Sequence, residues 1–194
     1  KINPDIDHSL LDDAVRKVLR IASDDLLSDN EIIHRYITEG VKVEYTDNGY
    51  TRGKIIELID FANPLNNEFM VMNQFTIIEN GNNKRPDLII FVNGLPLVVI
   101  ELKNATNEDA TIRKAYTQIQ NYKNDVPSIF FYNALCVISD GIDAKVSSLS
   151  APFTRFLSWK APENAGLQTD LQVMTNHMFD KRVLINLIRY CTVF

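Results

Sequence analysis

The chain has 194 residues, is 45% hydrophobic and carries a net charge of −5. That length holds one domain with its own core, and the acid excess argues against strong autonomous binding to nucleic acid. No apolar run reaches bilayer-spanning length and the first residues lack a signal-peptide pattern, which argues against a membrane or secreted protein and leaves a cytoplasmic location as the expectation.

Residues 2–4 read as a ragged lead-in, and the missing initial Met points to a piece of a longer chain. Asp7 or Ser9 can cap a helix running through Leu11, Val15, Val18 and Leu19. The run 28–31 restarts a second helix, with Ile32, Ile33, Tyr36 and Ile37 inward and Gly40 at its end. Residues 41–45 alternate like an exposed strand, and Asp47-Asn48-Gly49 is a turn. Strands are predicted at 54–61 and 68–78, with a flexible loop at 79–83. Their continuous apolar runs call for a mixed sheet covered on both faces by helices. Asn73 and Gln74 fit a hydrogen-bonded edge better than a substrate contact.

The stretch 85–104 holds the chemistry. Two apolar strands are joined by a tight connection, with Asp87 at the mouth of the first and Glu101 and Lys103 at the end of the second. Side chains alternate along a strand, so Glu101 and Lys103 point the same way and Leu102 points into the opposite layer. Placing Asp87 opposite Glu101 sets Val92 opposite Pro96 and leaves a three-residue loop, Asn93-Gly94-Leu95. A two-residue Asn93-Gly94 turn puts Asp87 on the wrong face unless a bulge restores it. The three-residue loop or the bulge is therefore expected. Either gathers two carboxylates and one ammonium on one face. Such hard oxygens suit a divalent ion like Mg²⁺, which lowers the pKa of a bound water and screens a phosphate. A lysine beside them can orient or deprotonate that water, or stabilise a pentavalent phosphorane. This is equipment for hydrolysing a phosphodiester. The plain alternative is a salt-bridged cap on a hairpin.

Residues 104–109 are polar and can cap a helix over 110–124, with Ile112, Ala115 and Ile119 as its buried stripe. Gln118 and Tyr122 share a face at the edge of that stripe. Basic residues flank the acids: Lys84 and Arg85 before them, Arg113, Lys114 and Lys123 after. Pro127 ends the helix, and 130–139 is predicted as another strand, closed by Asp140-Gly141. Residues 143–150 fit a short edge strand and 153–159 another, with Trp159 in core packing. After a loop at 161–166 the pattern turns helical through Leu171, Met174, Met178, Leu184, Leu187 and Ile188, restarting at Lys181-Arg182. The apolar stop at 191–194 points to truncation there. Cys136 and Cys191 read as reduced core residues. Without CxxC, and with His8, His34 and His177 scattered, a zinc site is not expected. There is no GxxxxGK[ST], so this chain should not hydrolyse ATP by itself.

Pro86-Asp87, thirteen further residues, then Glu101-Leu102-Lys103 resembles the PD-(D/E)xK nuclease signature. The wording around it, at 93–96 and 100–104, is similar to the N-terminal nuclease domain of the restriction (motor) subunit of type I restriction-modification enzymes. The likeness runs from about Lys54 to the C-terminus, and includes Asn67, Phe69, Gln74, Tyr132-Asn133 and Ser139-Asp140-Gly141. It implies an α/β (α+β) restriction-endonuclease-like core, a central mixed β-sheet flanked by helices. Residues 1–53 would be a helical lead-in of the same domain, 54–160 the nuclease core, and 161–194 helices leading to an absent motor. The resemblance implies that Asp87, Glu101 and the Leu102 backbone carbonyl bind Mg²⁺ and that Lys103 positions the water. Gln118 and Tyr122 resemble an auxiliary motif that supports the site or contacts DNA, together with Lys84 and Arg85. Glu57, Asp60 and Glu68 are candidates for a further acidic ligand. The implied partners are double-stranded DNA, methylase and specificity subunits, and the subunit's own helicase-like motor, where ATP binds outside this chain. Two alternatives stand beside this: a non-cutting scaffold that docks a motor, and a repair or recombination nuclease of the same fold.

Overall fold

Aliphatic residues fill 88–92 and 95–102 almost without a break, and such runs persist as strands only when both faces are covered. In the computed structural model they form the centre of a five-stranded sheet. Residues 2–21, 23, 25–103, 111–160, 162 and 166–192 are described. In chain order the elements are α1 (His8–Leu19), α2 (Leu26–Glu39), β1 (Val41–Asp47), β2 (Tyr50–Ile56), β3 (Phe69–Asn73), β4 (Ile77–Glu79), β5 (Asn82–Lys84), β6 (Leu88–Val92), β7 (Leu95–Leu102), α3 (Ile112–Asp125), β8 (Leu135–Ser139), β9 (Ala144–Ser147), α4 (Asp170–Val173), a π-helical turn (Met174–Met178) and α5 (Lys181–Tyr190). The main sheet has the order β3-β6-β7-β8-β9. Only β7 and β8 are parallel within it, and α3 lies in the connection between them. The hairpins β1–β2 and β4–β5 stand apart. This is the expected α/β arrangement of a mixed sheet flanked by helices.

The sheet separates two apolar layers. On one side Ile90, Val92, Val98, Ile100 and Val137 pack with Val18, Ile33, Val41, Leu184 and Ile188. On the other, Ile89, Phe91, Val99 and Ile138 meet Ala115, Ile119 and Tyr122 of α3. Each fully buried aliphatic side chain contributes about 1.5–3 kcal/mol. The odd-numbered residues of β6 face the α3 layer, and that layer carries the site.

Helix ends follow their capping residues. Asp7, not Ser9, caps α1 by accepting the Ser9 N–H at 2.8 Å. α2 starts earlier than residue 28, with Asp25 as its cap. Asp29 and Asn30 sit inside it, buried, and Asn30 donates to the carbonyls of Phe130, Phe131 and Asn133 at 3.0, 3.1 and 2.8 Å. Gly40 ends α2 at φ 82°, where an added Cβ would meet the Ile55 side chain at 2.5 Å. Thr111 caps α3, and the predicted cap at 104–109, with Ala110, lies outside the described residues.

Several predicted strands are corrected. The 41–45 strand is half-buried, since Val41 and Val43 are in the core. The 54–61 strand stops at Ile56. Beyond it, Asp60 accepts from the Asn63 N–H at 2.7 Å and the Asn66 amide at 2.8 Å, and such local bonds compete with a ladder. The 68–78 strand breaks at Gln74, φ 51°. The loop at 79–83 is a tight hairpin turn, with Asn80 and Gly81 both at positive φ. Residues Pro127–Tyr132 are a 3₁₀ helix, because Asn30 takes up the carbonyls at its end. The 153–159 strand is reduced to a 3₁₀ turn, Phe153–Arg155, and a single bridge between Val146 and Leu157. Cys136 is buried as expected, whereas Cys191 is exposed.

Candidate active site

β6 and β7 are joined by Asn93 and Gly94 alone, at φ 52° and 82°, the signature of a two-residue type I′ turn. The three-residue loop does not form. Asn93 fixes the choice: its Oδ1 accepts the Glu68 N–H at 2.8 Å, and its amide donates to the Leu58 carbonyl at 2.9 Å and Asn67 Oδ1 at 2.8 Å. Pairing runs Val92 with Leu95 and Phe91 with Pro96, then skips to Ile90 with Val98. Leu97 is the extra residue of a β-bulge. Its carbonyl accepts the Ala134 N–H at 2.8 Å, and its side chain is fully buried. Beyond the bulge Leu88 pairs with Ile100, and one step further the count brings Asp87, just outside β6, level with Glu101. Without the bulge Asp87 would face Ile100.

Asp87 is held by both oxygens. Oδ2 accepts the Leu102 N–H at 2.8 Å, and Oδ1 accepts the Gln74 amide at 2.9 Å. The Gln74 N–H also donates to the Asp87 carbonyl at 3.1 Å. Gln74 holds a left-handed backbone, φ 51°, which is uncommon outside glycine and concentrates at functional sites. The sequence reads Gln74 as an edge residue within the family likeness and assigns it no role, and its grip on Asp87 is a finding of the structure.

Glu101 ends the α3 face of β7, with a side chain only 4% exposed. Its Oε1 accepts from Lys103 Nζ at 2.6 Å. Its Oε2 is buried, and among the described residues no donor reaches it in good hydrogen-bond geometry. Burial raises the Glu101 pKa; the Lys103 hydrogen bond opposes this, the charge of Asp87 adds to the rise, and the Tyr122 hydroxyl lies close enough to help hold it down. The Lys103 N–H donates to the Ser139 carbonyl at 2.8 Å. That bond carries the strand conformation past Leu102 and keeps Lys103 on the face of Glu101.

Tyr122 is buried under this end of the sheet and donates its hydroxyl to the Arg85 carbonyl at 3.3 Å. Its pKa is pushed up to about 12, by burial first and then by the charge of Glu101, while Gln118 pulls the other way. Tyr122 borders the acids, and Gln118 reaches this region through its hydrogen bond with Tyr122. Lys84 does not face them: its ammonium pairs with Asp125 at 2.7 Å and ties β5 to the end of α3. Arg85 is exposed and reaches this region through its carbonyl. Glu68 lies at the turn end of the hairpin, beside Asn93. Asp60 and Glu57 flank the loop that Asn67 and Asn93 tie to that same end. None of the three stands with Asp87 and Glu101. Among the described residues no group of three His, Cys, Asp or Glu is gathered for a metal.

The donor set fits a divalent cation. An ionised oxygen buried without a partner is costly, and the like charge of Asp87 adds to the cost. A hard cation removes both penalties.

Residues 1–155 match the family described as type I restriction enzyme R protein N terminus. The chain belongs to that family. It is 38% identical to the type I restriction enzyme HindI endonuclease subunit of Haemophilus influenzae, over 100% of this chain and 19% of that protein. It is 36% identical to the type I restriction enzyme EcoprrI endonuclease subunit of Escherichia coli, over 72% of this chain and 46% of that one. The chain therefore spans less than half the length of either relative. The R-protein N-terminal match contains every site residue placed above and stops short of α4 and α5. Among the described residues no helix is long and apolar enough to cross a membrane.

Proposed function

We propose that this chain is the Mg²⁺-dependent DNA-cleaving part of a type I restriction subunit. One observation carries the reading: Glu101 turns a buried oxygen, which no donor among the described residues reaches in good hydrogen-bond geometry, to the face shared by Asp87 and Lys103. Asp87, Glu101 and the Leu102 carbonyl would hold the ion. Bound there, Mg²⁺ supplies an acidified water and charge compensation for a phosphodiester. Lys103 is placed to hold the attacking water by donating to it, since its ammonium already sits on the acid face. Gln74 and the Leu102 N–H keep Asp87 aimed. Tyr122, protonated throughout the neutral range, braces the Arg85 backbone and closes the floor against water.

In the whole subunit, ATP binds a motor outside this chain, and methylase and specificity subunits find the target on double-stranded DNA in the cytoplasm. The test uses that assembled enzyme. Asp87→Ala, Glu101→Ala and Lys103→Ala should each abolish cutting while ATP-driven translocation persists. Normal cutting by any one of them removes its assigned role.

A non-cutting scaffold is the second reading, favoured by the Glu101–Lys103 ion pair and by the full hydrogen bonding of Asp87. Calorimetry with Mn²⁺ separates the two. Binding lost in Asp87→Ala supports the site, and no binding at millimolar metal supports the scaffold.

A further inference from the structure

One line across the sheet extends the acid pair outward. Glu101 pairs with Ile138 on β8, and Ile138 pairs with Lys145 on β9. Partners in a ladder share a face, so Lys145 lies on the α3 face with Glu101. Strands lie about 4.8 Å apart, which sets the two backbones about 10 Å from each other. Lys145 Nζ stands 5.8 Å from the centre of the Phe153 ring, and the Arg113 guanidinium, from the first turn of α3, stands 4.2 Å from the same centre. Tyr116 holds that ring edge-on at 5.5 Å. Arg113 is exposed and Lys145 half-buried. Among the described residues neither pairs with a carboxylate.

That is an odd use of cations in an acidic chain. Its 25 acidic residues outnumber 20 basic ones, yet two cations share one ring here, and neither has an acid partner among the described residues. Each is drawn to the face of a half-buried ring, which leaves N–H donors on its outward side for another partner. An anion reaching both would satisfy those donors.

We propose that Arg113 and Lys145, held over Phe153, grip a backbone phosphate of the DNA beside the acid site. The inference rests on the DNA-cleavage reading. Arg113 meets the phosphate as a planar fork and Lys145 as a point charge. Such a contact fixes the register of the duplex without reading its sequence.

The experiment uses the assembled full-length enzyme, with Arg113→Ala, Lys145→Ala and the double variant, and Asp87→Ala in parallel. Cleavage is timed after translocation across a range of KCl concentrations. Each single variant should cut about 10-fold more slowly, and the log–log salt slope should fall by about one per charge removed. Arg113→Lys and Lys145→Arg should keep the salt slope. ATP hydrolysis and translocation should stay at the parental rate. Parental cleavage and salt slope in the double variant overturn the proposal. So does loss of assembly with the methylase and specificity subunits, which makes the patch a protein contact. If Asp87→Ala cuts normally, the cleavage reading itself fails. If Asp87→Ala is dead while the double variant is normal, only the phosphate grip fails.

Discussion

Replacing Glu101 by Gln removes a charge whose side chain is 4% exposed and leaves Lys103, 27% exposed, free to reach solvent. Removing one partner of a buried pair usually costs several kcal/mol because the other is stranded; here the ammonium can rehydrate. The relief comes from the charge itself, because burial and the neighbouring Asp87 carboxylate both disfavour the ionised form of Glu101. Set against the lost Lys103 bond, Glu101→Gln should stabilise the metal-free protein by about 1 kcal/mol, a Tm rise of about 2–4 °C at this length. On the metal-binding reading proposed above, metal should reverse the order. Mg²⁺ at 100 times its Kd adds about 2.7 kcal/mol to the native parent, and the variant loses most of that. Thermal unfolding in EDTA and in Mg²⁺ measures both. A variant at least 1 kcal/mol less stable than its parent in EDTA would refute the reasoning, because Glu101 and Lys103 would then be a structural brace.

Gln74→Ala and Gln74→Gly should slow cutting alike, by about 10-fold through the lost Asp87 bond. Gly should unfold about 1 kcal/mol later than Ala because of the positive φ; equal urea midpoints would remove the strain argument. Asn93→Ala should lower the urea midpoint by about 2 kcal/mol at unchanged m, as three hydrogen bonds and a left-handed position are lost together. Asp60 has its pKa lowered by the Asn63 N–H and then by the Asn66 amide. Its contribution to stability is therefore complete above the ordinary aspartate range and disappears as pH falls through its lowered folded value. Asp60→Asn should flatten that acid limb of a Tm–pH curve, and an unchanged limb would count against the bond.

Short-range chemistry was readable where one residue decides an element's end, as Asp7, Gly40 and Pro127 show. The acid–acid–lysine face was readable because strands alternate. The route to it was not. Leu97 looks like its aliphatic neighbours, and the turn is settled by Asn93 bonding to Leu58, 35 positions upstream. The aromatic run at 130–133 carries strand propensity, but Asn30, 100 positions away, takes its carbonyls. At 54–61 the apolar pattern of Ile55, Ile56, Leu58 and Ile59 continues as a strand on paper, while Asp60 bends the chain locally. Gln74 has no sequence sign of its backbone conformation, since its partner Asp87 lies across the sheet.

The bulge at Leu97 imposes a parity rule on the hairpin tip. A relative that gains or loses one residue between the two acids must also gain or lose a kink, or Glu101 swaps sides with Leu102 and the two oxygens part. Changes in steps of two carry no such penalty. Chain length in this short span is thus a digital quantity, and a single-codon deletion there could silence the domain while leaving it folded.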